Sequence, residues 1–591
     1  MPQQPAPRCA TTALILLAVS PWSACAQTGR AQEASPTPRR PNVLLIITDD
    51  QGYGDISSHG NGVIQTPHLD ELRASSVRLT DFHVDPTCSP SRSALMTGRY
   101  STRTGVWHTI MGRSLMDTRE ETLAEYLRAD GYRTGMFGKW HLGDNSPLRP
   151  QDQGFEHVCW HHGGGVGQGP DYWGNDYFDD TYDVNGTWQP FEGYCTDVWF
   201  REAAEFIAAK DDERPFFAYV ATNAPHHPYF VDESYSKPYV DAGVPKTMAD
   251  FYGMVTNIDD NVGRMLARLE ELGERENTIV VFMTDNGTAA GHRKREKEEG
   301  TWSGFNAGMR GNKGSEYDGG HRVPFFVHWP AGGIEGGRDI DALTAHVDVL
   351  PTLLEMTGVS LEAKNPIDGA SLAPALRGAA PAPGGRTLFV HSQRLEHPRK
   401  WRKSAVMTDQ WRLVNGTELF DIDADPAQTT DLAGAHPDRV ASMRASYDDW
   451  WASLAPAMES TVRIALGGDE NPVHLMSHDW HSGKGGTPWH QNHVRRGHVA
   501  NGPWAVDVRE AGDYEITLRR WPEQLDKAMD ATAATVSIGN YNHEVSLDPS
   551  ATSATFKATL ERGPADLLTS LTGNDGKVRG AYFVAAHRLD R

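Results

Sequence analysis

This 591-residue chain is poor in long apolar runs. The one that stands out is Ala13-Leu14-Ile15-Leu16-Leu17-Ala18-Val19, preceded by Arg8 and followed by Ala24-Cys25-Ala26. It is too short to span a bilayer, and with its small-residue cleavage site it marks residues 1–26 as a secretory signal. No other 20-residue apolar stretch occurs, so integral membrane contact is not expected and an exported protein, periplasmic or secreted, is. Lipid anchoring through Cys25 is the less favoured alternative, because Trp22 stands where a small aliphatic residue is expected. Residues 27–40 are polar and Pro-rich, a linker. Cysteine is scarce too: of five, Cys9 and Cys25 leave with the signal, and Cys88, Cys159 and Cys195 remain. An odd count in an oxidising compartment gives at least one thiol another task; Cys159 and Cys195 could bridge, leaving Cys88 alone. Positive charge is in deficit, with 56 Lys+Arg against 78 Asp+Glu and a net charge of −22. That excludes nucleic acid and anionic membrane surfaces as partners, and an anionic substrate would need a local cationic pocket. Repeats are absent.

What is there is the composition of a globular protein, 39% hydrophobic and 23% charged, long enough for two to four domains. Its 58 glycines and 17 tryptophans fit a loop-rich enzyme. Apolar runs predict strands over Asn42–Thr48, Val77–His83, Tyr132–Phe137, Phe216–Thr222, Thr278–Thr284 and Val323–Trp329. Between them, helical patterns cover Pro67–Ser76, Ser91–Met96, Thr122–Asp130, Met248–Leu272 and His346–Thr357. Buried strands separated by helices predict an α/β fold, a doubly wound and mostly parallel sheet, over 41–385. A smaller α+β subdomain is expected over 386–456, and an all-β accessory module over 457–591.

Such sheets place chemistry at the carboxyl ends of their strands. Val43–Ile47 runs into Thr48-Asp49-Asp50, and Ile279–Met283 into Thr284-Asp285-Asn286-Gly287. Each Asp alone reads as a turn or cap residue. On adjacent parallel strands they would bring three carboxylates and an amide together, and their repulsion calls for a cation. All-oxygen ligation favours Ca²⁺, with Mg²⁺ behind it, over zinc. Lys139-Trp140-His141 and Pro225-His226-His227-Pro228 close two further strands and could bring cationic groups to the same edge.

Cys88 opens the stretch Cys88-Ser89-Pro90-Ser91-Arg92, with Gly98 as a helix stop. Pro90 suits a first helical turn, so Cys88 sits at a helix N-terminus, which favours an anion. Here the sequence resembles the type I, formylglycine-dependent sulfatase family, arylsulfatase-like and part of the alkaline-phosphatase superfamily. The resemblance rests on C-x-P-x-R at Cys88–Arg92 and the following Leu95–Arg99. Pro41–Asp50, Gly138–Gly143, Thr284–Gly287, and Arg310-Gly-Asn-Lys313 with Gly319–Pro324 carry it further, so that it spans residues 41–455.

The resemblance implies that a maturation enzyme converts Cys88 to formylglycine, that Arg92 holds its hydrate, and that Asp49, Asp50, Asp285 and Asn286 hold calcium. Lys139, His141, His226 and Lys313 would contact the sulfate or the leaving oxygen. One hydroxyl of the hydrate, its proton drawn off by Asp285, would attack sulfur; His226 or Lys313 would protonate the leaving group. The second hydroxyl, deprotonated by His141, would then expel sulfate and restore the aldehyde. Arg103 is expected to be supportive. A glycan at the sequon Asn286-Gly287-Thr288 would block the metal site, so that sequon should be unused.

The expected activity is sulfuric ester hydrolysis on a sulfated glycan or aryl sulfate. The alternatives are a phosphoester or phosphonate hydrolase of the same superfamily, and a glycan-binding protein whose site never matures. Substrate contacts are placed at His162 and Trp173 of the Gly-rich stretch 161–173, and at Arg322. In the tail, His478–His498 gathers Trp, His and Arg, the residue types that sugar and sulfate contacts use; packing against the catalytic domain is the plainer reading.

Overall fold

A computed structural model describes residues 39–209, 214–290, 304–482 and 486–589. The signal and most of the linker, residues 1–38, lie outside the described residues. Among the described residues no helix is long and apolar enough to cross a membrane.

The largest sheet has ten strands. Its order is Asp339–Ile340, Val77–Leu79, Phe325–His328, Thr278–Thr284, Asn42–Thr48, Phe216–Ala221, Arg133–Lys139, His157–His161, Thr181–Val184, Thr187–Pro190. The five strands from Thr278–Thr284 to His157–His161 run parallel, with antiparallel pairs toward both edges. Asn42–Thr48 is buried at every position because both faces are covered. Side chains alternate across a strand. Val43, Leu45 and Ile47 therefore face a layer with the helices Leu123–Ala129 and Val349–Thr357. Leu44 and Ile46 face Pro67–Ser75, Cys195–Ala208 and Lys246–Glu271. Each such fully buried side chain contributes about 1.5–3 kcal/mol. This is the expected doubly wound α/β arrangement.

Register fixes where the chemistry falls. Thr48 pairs with Thr284, so Asp49-Asp50 and Asp285-Asn286 leave the sheet side by side. Ile47 pairs with Ala221 and Gly138 with Ala221, which brings the His226 turn and Lys139 to the same edge. Gly138 has φ +107°, and a Cβ there would lie 2.1 Å from the Ala221 carbonyl oxygen, so that crossing requires glycine.

The predicted strand Val77–His83 is two strands. Val77–Leu79 joins the large sheet, whereas Phe82–His83 pairs with Thr344–Ala345. The break falls at Asp81, whose carboxylate accepts from Arg412, 331 residues away, at 2.8 and 2.9 Å. The bridge considered for Cys159 and Cys195 is not made. Both are buried free thiols in one apolar layer, and the Asn223 amide approaches the Cys195 sulfur at 3.6 Å.

A four-stranded antiparallel sheet over Leu388–Asp421 packs on the helix Pro437–Ser453 through Phe389, Tyr447 and Trp450. Residues 464–588 form a six-stranded and a four-stranded sheet around one apolar core. Leu115 and Leu148, from loops beside the large sheet, enter that core and dock the two together.

Candidate active site

Every residue of the helix Cys88–Thr97 is buried, and Gly98 closes it in the left-handed region at φ 66°. The helix starts at Cys88, three residues before the predicted Ser91, with Pro90 in its first turn. The Cys88 thiol donates to Asp49 Oδ1 at 3.3 Å and receives Lys313 Nζ at 3.4 Å. Lys139 Nζ lies 2.5 Å from Asp49, and Lys313 Nζ 2.5 Å from Asp50. His226 Nε2 is 3.7 Å from Asp50. Arg92 donates twice to Asp285 Oδ2, at 3.1 and 2.9 Å, and once to the Lys139 carbonyl at 3.0 Å. In this arrangement its direct hold is on Asp285.

Asp49, Asp50, Asp285 and Cys88 each offer a ligand atom within 4.8 Å of the others, all buried. Asn286 donates to Asp50 at 3.0 Å, while its own Oδ1 is buried with no hydrogen-bond partner. A fully buried amide oxygen left unmatched beside three carboxylates is what a hard cation would satisfy. Asp50 sits at φ 70°, a strained conformation for a non-glycine residue that is characteristic of functional sites. Full burial of Asn286 also leaves no room for a glycan there.

The electrostatics follow from burial among charges. Burial, reinforced by Asp49, pushes the Cys88 thiol up to about 12. A cysteine so placed is a poor thiolate nucleophile as it stands. Burial and the Asp49 charge raise Asp285 to about 6. Burial would also raise Asp50, but Lys313, His226 and the Asn286 amide outweigh it and hold the carboxyl below its usual range. Burial and the Lys313 charge push His226 down to about 3, leaving it neutral near pH 7. His141 is held well below its ordinary value by burial and Lys139, and its Nε2 lies 2.9 Å from the Thr109 carbonyl oxygen.

These groups line a cleft of about 70 Å³ holding Cys88, His141, His226 and Lys313. Thr109, Gly164 and Gln168 complete its catalytic-sheet side, Arg394 comes from the Leu388–Asp421 region, and Trp489 from the tail. Gly164 is required by close approach, since a Cβ there would meet the His141 ring at 2.5 Å. Arg394 carried no sequence signal; Trp489 lay inside the tail cluster without being singled out.

The three residues expected to contact substrate, His162, Trp173 and Arg322, lie outside the lining of this cleft. His162 bonds Asp183 at 2.9 Å and stacks on Trp160, with ring centroids 4.2 Å apart. Trp173 packs edge-on against Trp521 and Phe583 under the Arg495 guanidinium, so its apolar area is spent on docking the tail. Arg322 donates to the Thr80 carbonyl at 2.8 Å beside Tyr53. Arg103 pairs with Asp368 at 3.0 Å, a brace away from the cleft.

A parallel sheet whose strand ends gather oxygen ligands and buried cations beside a helix N-terminus is the arrangement of an ester hydrolase for anionic substrates. Comparison with known proteins places it more closely. The Sulfatase family model matches residues 41–359, and that of N-sulphoglucosamine sulphohydrolase, C-terminal, matches 312–444. Human arylsulfatase A is 32% identical over 423 residues, 66% of this chain and 78% of its own length. Human N-acetylgalactosamine-6-sulfatase is 31% identical over 369 residues, 58% and 67% respectively. The solved structure of Ps i-CgsB in complex with k-i-k-neocarrahexaose superposes with a TM-score of 0.62 at 28% identity, covering 70% of this chain and 92% of that one. The chain belongs to the sulfatase family, formylglycine-dependent sulfuric ester hydrolases of the alkaline-phosphatase-related superfamily. Residues beyond 444 lie outside both family models.

Proposed function

We propose that this protein removes sulfate from a sulfated glycan in an exported compartment, after a formylglycine-generating enzyme has modified Cys88. The observation that carries the reading is one constellation: the buried Asp49, Asp50, Asp285 and Cys88 group, with unmatched Asn286 Oδ1 and Lys139 paired to Asp49, reached at Cys88 from a cleft that presents Lys313, His141 and His226. A glycan is favoured because the similar proteins include an N-acetylgalactosamine-6-sulfatase and a protein crystallised with k-i-k-neocarrahexaose.

Asp49, Asp50, Asp285 and Asn286 would hold the divalent cation, calcium first, which supplies neutralisation of the sulfate oxygens. Formylglycine at position 88 would supply a hydroxyl nucleophile that the thiol cannot. Arg92 fixes the Asp285 carboxylate through two N–H bonds to Oδ2, while Oδ1 accepts the Asp50 backbone N–H at 3.2 Å. Lys139 and Lys313 offset the approach of one negative group to another, against the net charge of −22 on the whole chain. His226, 3.7 Å from Asp50, or the protonated Lys313 would give the leaving oxygen its proton, His226 only in its imidazolium form; His141 would take the proton of the second hydroxyl. Residues 41–385 form the catalytic domain in this reading, 386–456 its subdomain and 457–591 an accessory module.

The test compares sulfate release from sulfated mono- and oligosaccharides with hydrolysis of matched aryl sulfate and aryl phosphate esters. Peptide mass spectrometry on residue 88 accompanies it. Sulfate release with an aldehyde at 88 is expected. Preference for the phosphate ester moves the protein to phosphoester chemistry, and glycan binding with an intact thiol moves it to a non-catalytic role.

A further inference from the structure

The carboxy-terminal sandwich reaches the cleft through one excursion. Between the strands Val473–Met476 and Trp504–Val508, residues 489–491 lie along the Gly-rich stretch 161–173. There the Gly169 N–H donates to the Trp489 carbonyl at 2.9 Å, and Gln168 forms a β-bridge with His490. The Gln491 amide, 1% exposed, donates to the carbonyls of Gln168 at 3.2 Å and Tyr172 at 3.1 Å. These backbone and side-chain links to one short stretch make this a built junction. The Trp489 indole is braced edge-on by His490 and His493, with centroids at 5.4 and 5.3 Å. It stays half-buried and lines the cleft.

Ile110 also lines the cleft, and apart from it, Gly164 and the Cys88 sulfur the other cleft-lining side chains are polar. Cations and oxygen ligands serve a sulfate group, but they offer little to the carbon skeleton that bears it. Sugar rings have apolar C–H faces, and a rigid indole covers such a face at low entropic cost. Burial, with the His493 and Arg495 charges, pushes His490 down to about 4, so the ring bracing Trp489 is neutral at pH 7.

We propose that Trp489 is a specificity-determining residue whose indole packs against the sugar ring bearing the sulfate ester, which makes the carboxy-terminal sandwich part of the active site. The inference rests on the glycan reading above and adds a residue from beyond position 444, outside the family match. Removing the aromatic face raises KM for ring-bearing substrates and leaves the chemical step alone.

Trp489→Leu keeps apolar bulk and loses the aromatic face; Trp489→Phe keeps a face. For a saccharide that the parent protein desulfates, Trp489→Leu is expected to raise KM about tenfold with kcat nearly unchanged, and Trp489→Phe to recover most of the loss. Turnover of a linear alkyl sulfate, which has no ring to stack, stays within about twofold in both. In parallel, a sulfated saccharide bound to the Cys88→Ala protein is expected to protect Trp489 from hydroxyl-radical footprinting, a readout that needs no folded Trp489 variant. An unchanged saccharide KM in Trp489→Leu, an equal loss on the alkyl sulfate, or no protection overturns the role of Trp489 while the glycan reading stands. If the parent protein hydrolyses simple sulfates but no saccharide, the glycan reading fails and this inference with it.

Discussion

Removing the bound cation is the perturbation that most directly probes the site. Asp49, Asp50 and Asp285 place three carboxylates in one buried cluster, and Lys139, Lys313 and Arg92 place three positive charges against them. The two sets balance, so the fold is expected to survive without the ion while Lys139 and Lys313 pair with Asp49 and Asp50. The ion then binds in competition with those pairs. At a free concentration of about 100 times its dissociation constant it adds about 2.7 kcal/mol. For a chain of this size, at about 2 °C per kcal/mol, that is a rise of about 5 °C in Tm. Asp285→Asn removes one ligand charge and the charge that pairs with Arg92, leaving a buried guanidinium without its counter-ion at a cost of about 3–5 kcal/mol. It should also lose most of the ion-dependent rise. The assay is thermal unfolding of chelator-stripped protein titrated with Ca²⁺, Mg²⁺ and Zn²⁺, parent and variant side by side. Calcium is expected to act at the lowest concentration. A parent Tm indifferent to calcium, or a full calcium response in Asp285→Asn, refutes the reasoning.

Arg412→Met should destabilise the protein by about 3–5 kcal/mol in chemical denaturation, because Asp81 is left buried without its bidentate partner; adding Asp81→Asn should restore part of it, and no restoration would show that the charge is not the cause. Glu396, in the subdomain, ties it to the tail through His481 and to the catalytic domain through Arg113, both at 2.8 Å. Burial raises its carboxyl, but His481 and Arg113 outweigh this and hold it below its ordinary 4.5. Its contribution is therefore present above pH 4.5 and lost as pH falls through the lower folded value. Glu396→Gln should flatten that acid limb in a stability-versus-pH series, and an unaltered limb would remove the assignment. Trp173→Ala should cost about 2 kcal/mol through lost packing on Trp521 and Phe583, with saccharide selectivity unchanged; altered selectivity at unaltered Tm would return Trp173 to the substrate.

The main sheet and the residues at its edge were legible because their signals are local. Asn42–Thr48 and Thr278–Thr284 have the predicted limits, since each is an apolar, β-branched run bounded by polar residues. Two such strands ending in hard oxygen donors state their own chemistry once they are neighbours, and Pro90 and Gly98 bracket the helix that carries Cys88. Long-range pairing left no comparable trace. Asp81 breaks its strand to reach Arg412, a choice made by charge burial rather than by propensity. Cys159 and Cys195 share an apolar layer and stay reduced, although their count and spacing allowed a bridge. His162 and Trp173 carry the aromatic and imidazole groups expected of a substrate loop; their contacts with Asp183 and with Trp521, from distant segments, left no sign in the local pattern.

The amino-acid order thus determined the sheet's central strands, the oxygen ligands that end them and the helix that presents Cys88, because periodicity and capping act over a few residues. Tertiary structure alone decided which distant segments close the cleft. Arg394 and Trp489 arrive on loops of two other sheets, each docked on the catalytic domain through its own apolar core, and no local pattern places them there.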